Sequence, residues 1–208
     1  MDELVAGYRR FRAIAWPQRR ELFEGLARHG QQPRAMVLAC SDSRVDPAMI
    51  FDARPGEMFI IRNVANLVPP FAPDGACHGT SAALEFGVRA LEVRDLIVLG
   101  HGLCGGVQAL LDGVPPPLGE FVGPWIRLAE RARPRLLRCD PAERQREGEH
   151  ATVRVSLENL MTFPWIAERV ADGRLTLHGA HFDIRTGVLE LLGAGGEFAP
   201  VQTEPRSP

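Results

Sequence analysis

The chain lacks the long apolar runs, the secretory leader and the excess of basic residues that would assign it to a membrane or to nucleic acid. No stretch of the sequence reaches the roughly 18 consecutive apolar residues that a membrane-spanning helix needs. Residues 1–20 alternate charged and apolar side chains without the apolar region of a signal peptide. The formal net charge of -2 provides no broad basic surface. We therefore expect a soluble, uncleaved protein with neither a membrane nor a nucleic acid as partner.

Cysteine is also scarce. The four cysteines are scattered along the chain, at Cys40, Cys77, Cys104 and Cys139. They are too few for a disulfide scaffold, so metal ligation or reduced thiols are the better interpretation. A cytoplasmic location is the simplest expectation that follows.

The length of 208 residues, 45% of them hydrophobic, predicts a single domain over residues 1–208 with a substantial core. Residues 1–28 have the pattern of a helical arm, interrupted at Pro17, of the kind that packs on a neighbouring subunit. Residues 193–208 are rich in glycine, proline and polar residues, which indicates a flexible tail.

Short apolar runs that end in polar or glycine-rich turns predict the strands. Four of them have the continuous apolar character of buried parallel strands, at residues 35–39, 58–61, 96–99 and 175–177. A fifth run, at 188–192, follows a Thr-Gly turn and is predicted to be an antiparallel edge strand. Amphipathic patterns at 81–91, after Cys104 and at 144–161 predict helices between the strands. The fold class expected is α/β, with a mostly parallel central sheet of four strands plus an antiparallel edge strand, flanked by helices.

The sharpest local feature is a histidine three positions before a cysteine, His101 and Cys104, directly after an apolar run. Cys40 stands at the end of another apolar run, and neighbouring parallel strands would bring it beside the first pair. Two thiolates and one imidazole suit zinc, and three protein ligands leave a fourth position for water, as in a catalytic site.

Each of these residues also has a purely structural interpretation. Cys40 fits the core at the end of a strand, His101 fits a turn bonded to backbone, and Asp42 with Arg44 fits a surface ion pair. Two other enzyme classes fit less well. Arg44 follows Cys40 at four positions rather than the six of a cysteine phosphatase loop, and the glycines around His101 lack the third glycine of a dinucleotide fingerprint.

Several motifs in the same order resemble the β class of carbonic anhydrases. They are Cys-Ser-Asp-Ser-Arg-Val at 40–45, Arg-Asn-Val-Ala-Asn-Leu at 62–67, the His-to-Gly segment at 101–106 and Ser-Leu-Glu-Asn-Leu at 156–160. The resemblance runs from about residue 31 to residue 192 and so covers most of the chain.

The resemblance implies one zinc ion per chain, held by Cys40, His101 and Cys104, and reversible hydration of carbon dioxide to bicarbonate. It implies that Asp42 and Arg44 form a catalytic dyad beside the open position of the metal. In relatives the aspartate either pairs with the arginine or ligates zinc in a closed state; we expect the open state here. Family members assemble as dimers or sets of dimers, which implies a homo-oligomer.

The substrate pocket that the resemblance implies consists of Gln31, Phe59, Val64, Phe86 and the backbone amide of Gly105. Phe86 replaces a tyrosine common in plant-type relatives and therefore lacks its hydroxyl. Ala180 and His181 stand where bulky aromatic residues are frequent in the family, which suggests a looser neighbourhood. His78 is a candidate for carrying the released proton to buffer, whereas Cys77 is expected to be a loop residue.

Two further functions remain open at this stage. The same scaffold with a changed entrance would hydrolyse carbon disulfide or carbonyl sulfide. A zinc-binding protein without catalysis would have lost the carboxylate or the arginine of the dyad, but Asp42 and Arg44 are both present.

Overall fold

A computed structural model describes residues 1–116 and 118–202. The remaining part of the predicted tail, residues 203–208, lies outside the described residues. Over the part described, the secondary structure follows the predicted alternation of strands and helices, and it adds one strand.

A mixed sheet of six strands forms the centre of the described part of the chain. In chain order the strands are β1 (Ala35–Cys40), β2 (Met58–Asn63), β3 (Asp95–His101), β4 (Thr176–Phe182), β5 (Leu189–Leu192) and β6 (Phe198–Pro200). Their spatial order is β2-β1-β3-β4-β5-β6. The strands β2, β1, β3 and β4 run parallel, and β5 is antiparallel to β4. The predicted four parallel strands and antiparallel fifth strand are confirmed.

The sixth strand corrects the prediction of a flexible tail from residue 193 onward. β6 pairs antiparallel with β5, with Leu191 opposite Ala199 and Leu192 opposite Phe198. The Phe198 ring also stacks on His150, with 4.0 Å between ring centroids. The glycines before β6 form the turn of a hairpin. The segment whose composition predicted a flexible tail therefore adds a strand to the edge of the sheet.

Helices pack on the sheet and form an arm at the N-terminus. In chain order they are α1 (Asp2–Arg10), α2 (Trp16–His29), α3 (Pro47–Ile50), α4 (Gly79–Glu85), α5 (Gly105–Asp112), α6 (Val122–Ile126), α7 (Arg133–Leu136), α8 (Arg144–Leu160) and α9 (Pro164–Ala171). A π-helical segment, Phe11–Ala15, joins α1 to α2, so Pro17 does not interrupt the arm. Pro17 lies in the first turn of α2, where its missing N–H does little harm.

Both faces of the central strands β1 and β3 are mostly buried, which explains why their sequences are continuously apolar rather than alternating. β2 lies at the edge of the sheet and exposes Ile60. Met36 and Leu38 of β1 point into one core, together with Val153 of α8. Val37 and Ala39 point into a second core on the opposite face. A third cluster, containing Cys40 and Cys104, lies at the carboxyl end of the strands. The candidate metal ligands therefore lie at the carboxyl ends of the central strands.

None of the helices in residues 1–116 and 118–202 combines the length and the apolar character that crossing a membrane requires.

Candidate active site

The three candidate metal ligands come from two adjacent strand ends and the turn that follows one of them. Cys40 is the last residue of β1, and His101 is the last residue of β3. Because the parallel register pairs Ala39 with Leu99, both side chains lie at the same end of the sheet. Cys104 follows His101 through a turn in which Leu103 adopts φ 57°. The ligand atoms of the three residues all lie within 4.8 Å of one another, and the two sulfurs are 3.9 Å apart.

The imidazole of His101 is oriented for ligation. Its Nδ1 lies 2.9 Å from the carbonyl oxygen of Gly102, so an N–H at that position donates to the backbone. The other nitrogen, Nε2, is buried and has no hydrogen-bond partner among the described residues. Because a buried polar atom without a partner is costly, a cation between Nε2 and the two sulfurs fits this centre. The donor set of two sulfurs and one nitrogen is one that zinc prefers.

The pKa values of the two thiols are shifted in opposite directions. The hydrogen bond with Cys104 contributes most to lowering the pKa of Cys40 to about 4, with His101 and the backbone N–H groups of Asp42 and Ala65 acting in the same direction and burial opposing them. The same bond between the thiols, followed by burial, raises the pKa of Cys104. One thiolate is therefore ready for a metal, while the second must still lose its proton.

Asp42 and Arg44 form a tight pair beside the three ligands. Arg44 donates from Nε to Oδ1 of Asp42 at 2.9 Å and from a terminal nitrogen to Oδ2 at 2.7 Å. The side-chain hydrogen bonds from Arg44 hold the pKa of Asp42 well below its usual range. Arg44 also donates to the carbonyl oxygen of Leu103 at 3.0 Å, which ties the dyad to the turn before Cys104. Oδ2 of Asp42 lies 3.9 Å from Nε2 of His101.

Arg62 holds the loop that follows β1, a role that the sequence analysis did not assign to it. Its guanidinium donates to the carbonyl oxygens of Cys40, Asp42 and Val45 at 2.9, 2.6 and 2.6 Å. Three carbonyls on one guanidinium keep the Cys40-to-Arg44 segment curved around the site. The only signal in the sequence was its place in the Arg-Asn-Val motif.

Comparisons with known proteins agree with this geometry. A model of the carbonic anhydrase family matches residues 35–189. The carbonic anhydrase of Pseudomonas aeruginosa is 37% identical over 215 residues, which cover 99% of this chain and 94% of that protein. The structure of the β-carbonic anhydrase CcaA has a TM-score of 0.88 at 34% identity, covering 98% of this chain and 92% of that one. The chain belongs to the β class of carbonic anhydrases.

A further similar structure comes from a pair of tetrameric β-carbonic anhydrases of the ascomycete Sordaria macrospora. It has a TM-score of 0.79 at 28% identity and covers 93% of this chain and 96% of that one. The family resemblance stated from the motifs is confirmed, and with it the assignment of this β-class member as an enzyme that hydrates carbon dioxide.

Two of the five predicted pocket residues stand near the metal ligands of this β-class enzyme. Val64 lines two cavities, the first of about 700 Å³ and the second of about 730 Å³. Gly105 also lines the second cavity. The carbonyl oxygen of Val64 accepts a 2.7 Å hydrogen bond from the indole of Trp125, which also lines the first cavity. That cavity contains Ser41 and His78 as well.

The other three predicted pocket residues lie at the opposite end of the sheet in the same chain. Gln31 precedes β1, and Phe59 pairs with Met36 near the start of that strand, whereas Cys40 ends it. Phe86 packs on Phe59 with 5.8 Å between ring centroids and is half exposed. A single chain does not bring these three residues to the metal ligands.

The remaining residues that the sequence singled out have other places. Nε2 of His78 lies 2.7 Å from Oδ1 of Asp74 at the rim of the first cavity, and Cys77 is exposed beside it. The Cys139 thiol donates to the carbonyl oxygen of Arg135 at 3.5 Å, away from the ligands. His181 is fully buried, and both of its ring nitrogens contact carboxylates.

Proposed function

We propose that this enzyme catalyses the reversible hydration of carbon dioxide to bicarbonate and a proton with one zinc ion held by Cys40, His101 and Cys104. The observation that supports this most is the convergence of three buried donor atoms, one of them without a partner among the described residues. When bound, zinc with an open fourth position would supply a hydroxide nucleophile by lowering the pKa of a water molecule, less strongly beside two thiolates than beside three histidines.

Asp42 orients the attacking oxygen. Both of its carboxylate oxygens are engaged by Arg44, so the carboxylate stays ionised and in one rotamer. It would accept a hydrogen bond from the nucleophile and so direct a lone pair toward carbon dioxide. The same engagement supports the open state, because Asp42 would have to leave Arg44 before it could ligate the metal.

Val64 and Gly105 form the nearby part of the substrate pocket. Carbon dioxide needs little more than a dry apolar slot, which the side chain of Val64 provides. Gly105 opens α5, where backbone N–H groups are free to donate. Its amide would support the oxygens of the bicarbonate product.

A second copy of the chain would supply Gln31, Phe59 and Phe86. In one chain these residues lie far from the ligands, and the helical arm has no buried residue, with Leu4 75% and Tyr8 60% exposed. An arm with exposed apolar side chains suits packing on a neighbour. We therefore propose a homodimer or a larger assembly of dimers, in keeping with the tetrameric Sordaria proteins. The cytoplasmic location stays a prediction.

Metal analysis combined with a stopped-flow assay of carbon dioxide hydration tests the proposal. The purified protein should hold about one zinc per chain and turn over carbon dioxide, and Cys40→Ser should lose both properties. Cys139→Ser is the matched control, since that thiol donates to the carbonyl oxygen of Arg135 and does not belong to the group of candidate ligands, and it should keep both.

Protein with full zinc and negligible carbon dioxide turnover would contradict the proposal. The same preparation assayed with carbonyl sulfide and carbon disulfide would then identify a hydrolase.

A further inference from the structure

A buried polar network lies directly beneath the Cys104 peptide. Its members Glu149, His181 and Glu190 are 2%, 1% and 4% exposed. Charged side chains are seldom buried to this degree unless they are paired. The members of the network are therefore expected to be paired, and one of them, Glu149, contacts the turn that contains Cys104.

Two side chains of α8 hold the polar groups of Cys104. The Cys104 N–H donates to Oε1 of Glu149 at 3.2 Å. The Gln145 amide donates to the carbonyl oxygen of Cys104 at 3.1 Å and to the same Oε1 of Glu149 at 2.8 Å. The residue that carries the thiol is thus held at both its N–H and its C=O from one helix.

The far side of Glu149 is fixed in turn by the sheet. Its Oε2 lies 3.0 Å from Nε2 of His181, whose Nδ1 lies 3.1 Å from Oε2 of Glu190. The other oxygen of Glu190 accepts from Arg146 at 2.5 Å. His181 on β4 therefore bridges two carboxylates, and Glu149 has little freedom to rotate.

His150, His181 and Glu190 also place three donor atoms within 4.8 Å of one another, which raises the alternative of a second metal site. Both ring nitrogens of His181 already have carboxylate partners, and both oxygens of Glu190 are in contact with basic groups. This differs from His101, whose Nε2 has no partner in the described part of the chain. The cluster is satisfied as a hydrogen-bonded support.

We propose that Glu149 is a positioning residue of the metal centre, which together with Gln145 fixes the Cys104 peptide and so aims its thiolate, while His181 and Glu190 fix Glu149. The proposal rests on the proposed function in one respect, namely that Cys104 ligates zinc. It assigns a task to His181, which stands where the family often has an aromatic residue.

The turn before Cys104 explains why such a support matters. Leu103 adopts φ 57°, a backbone conformation that L residues rarely take, and Gly102 precedes it. Without an anchor at the Cys104 N–H, the turn could relax toward commoner conformations and rotate the thiol away from Cys40 and His101. Loss of groups that orient a metal ligand typically lowers metal affinity by about 10- to 100-fold.

Zinc affinity of the full-length protein, measured by competition with a chelator, tests the proposal. Glu149→Ala should weaken zinc binding by about 10- to 100-fold. Glu149→Gln should recover most of this loss, because its amide oxygen still accepts from the Cys104 N–H while its NH₂ group faces His181. Glu158→Ala is the control on the same helix, since Glu158 is exposed and pairs with Arg131; it should bind zinc like the wild type.

Cobalt substitution adds a spectroscopic measurement that global stability does not affect. The thiolate-to-cobalt absorption band of Glu149→Ala should shift or lose intensity, whereas the bands of Glu149→Gln and Glu158→Ala should match the wild type. If Glu149→Ala does not fold, Gln145→Ala at its half-buried position should show a weaker form of the same loss of affinity.

Wild-type zinc affinity and an unchanged cobalt spectrum in Glu149→Ala or, failing that, Gln145→Ala would overturn the positioning role while leaving the proposed function intact. A wild-type protein that binds no zinc would instead remove the proposed function, and the inference with it. A second equivalent of tightly bound zinc that is lost in His150→Ala would show the cluster to be a metal site and would also overturn the proposal.

Discussion

Replacing Asp42 by asparagine removes one negative charge beside the metal ligands and leaves the size of the side chain unchanged. Because the hydrogen bonds from Arg44 hold the pKa of Asp42 far below its usual range, the carboxylate is charged throughout any practical assay. A depressed pKa means that this contribution is present above the ordinary aspartate pKa and is lost only in strong acid. Asp42→Asn should therefore lower turnover at every pH tested.

The size of the effect follows from the contact that is lost. A hydrogen bond to a charged group is worth about 1.5–3 kcal/mol. Since about 1.4 kcal/mol corresponds to a factor of ten in rate, turnover should fall by about 10- to 150-fold. Zinc content should stay near that of the wild type, because Oδ2 of Asp42 is engaged by Arg44 and not by the metal.

Stopped-flow hydration rates and zinc content, measured on the same preparations, provide the test. Asp46→Asn is the matched control: Asp46 accepts from the Met49 N–H at the start of α3, and asparagine caps helices equally well. A turnover equal to that of the wild type would refute the orienting role of Asp42. Loss of zinc and turnover in equal proportion would show that Asp42 acts as a ligand instead.

Three further predictions concern the metal ligands and the helix that follows them. Cys104→Ser should lose zinc and unfold at lower denaturant, because metal binding contributes to folding; full zinc occupancy by elemental analysis would contradict the ligand assignment. Because the hydrogen bond with Cys104 lowers the pKa of Cys40 to about 4 and that of Cys104 is raised, zinc must displace the Cys104 proton. Because the pKa of His101 is raised as well, zinc affinity should rise by at least about tenfold per pH unit around neutrality, and a chelator competition that gives a flat profile would exclude this. In Gly106→Ala the new Cβ would lie 2.7 Å from Cβ of Ala65, whereas in Gly105→Ala it meets no described atom within 4 Å. Urea unfolding should show Gly106→Ala to be about 1–3 kcal/mol less stable than Gly105→Ala, and equal stabilities would argue against close packing there.

The central fold could be predicted from the sequence because its signals are local. The strands β1, β2 and β3 carry uninterrupted apolar runs, and these strands end within two residues of the predicted positions. The error at β6 has the opposite cause. Three residues of ordinary composition become a strand only because the edge of β5 is available to pair with them.

The convergence of the three proposed metal ligands was predictable for the same reason. His101 and Cys104 are close in sequence, and the parallel register needs only adjacent strands to add Cys40. The residues that hold those ligands were missed, because Arg62, Gln145 and Glu149 act through backbone groups of distant segments. A side chain that binds a carbonyl or an N–H leaves no spacing pattern that a reader of the sequence can recognise.

The sequence alone determined the fold class, the family and the three residues whose atoms suit zinc, since these depend on apolar periodicity and on the chemistry of particular side chains. Only the tertiary structure decided that Asp42 is held by Arg44, that β6 closes the sheet edge, and that His181 supports Glu149 beneath Cys104. The tertiary structure also places Val64 and Gly105 at one end of the sheet and Gln31, Phe59 and Phe86 at the other. Distances between side chains follow from strand register and packing, which are properties of the folded chain and not of its sequence pattern.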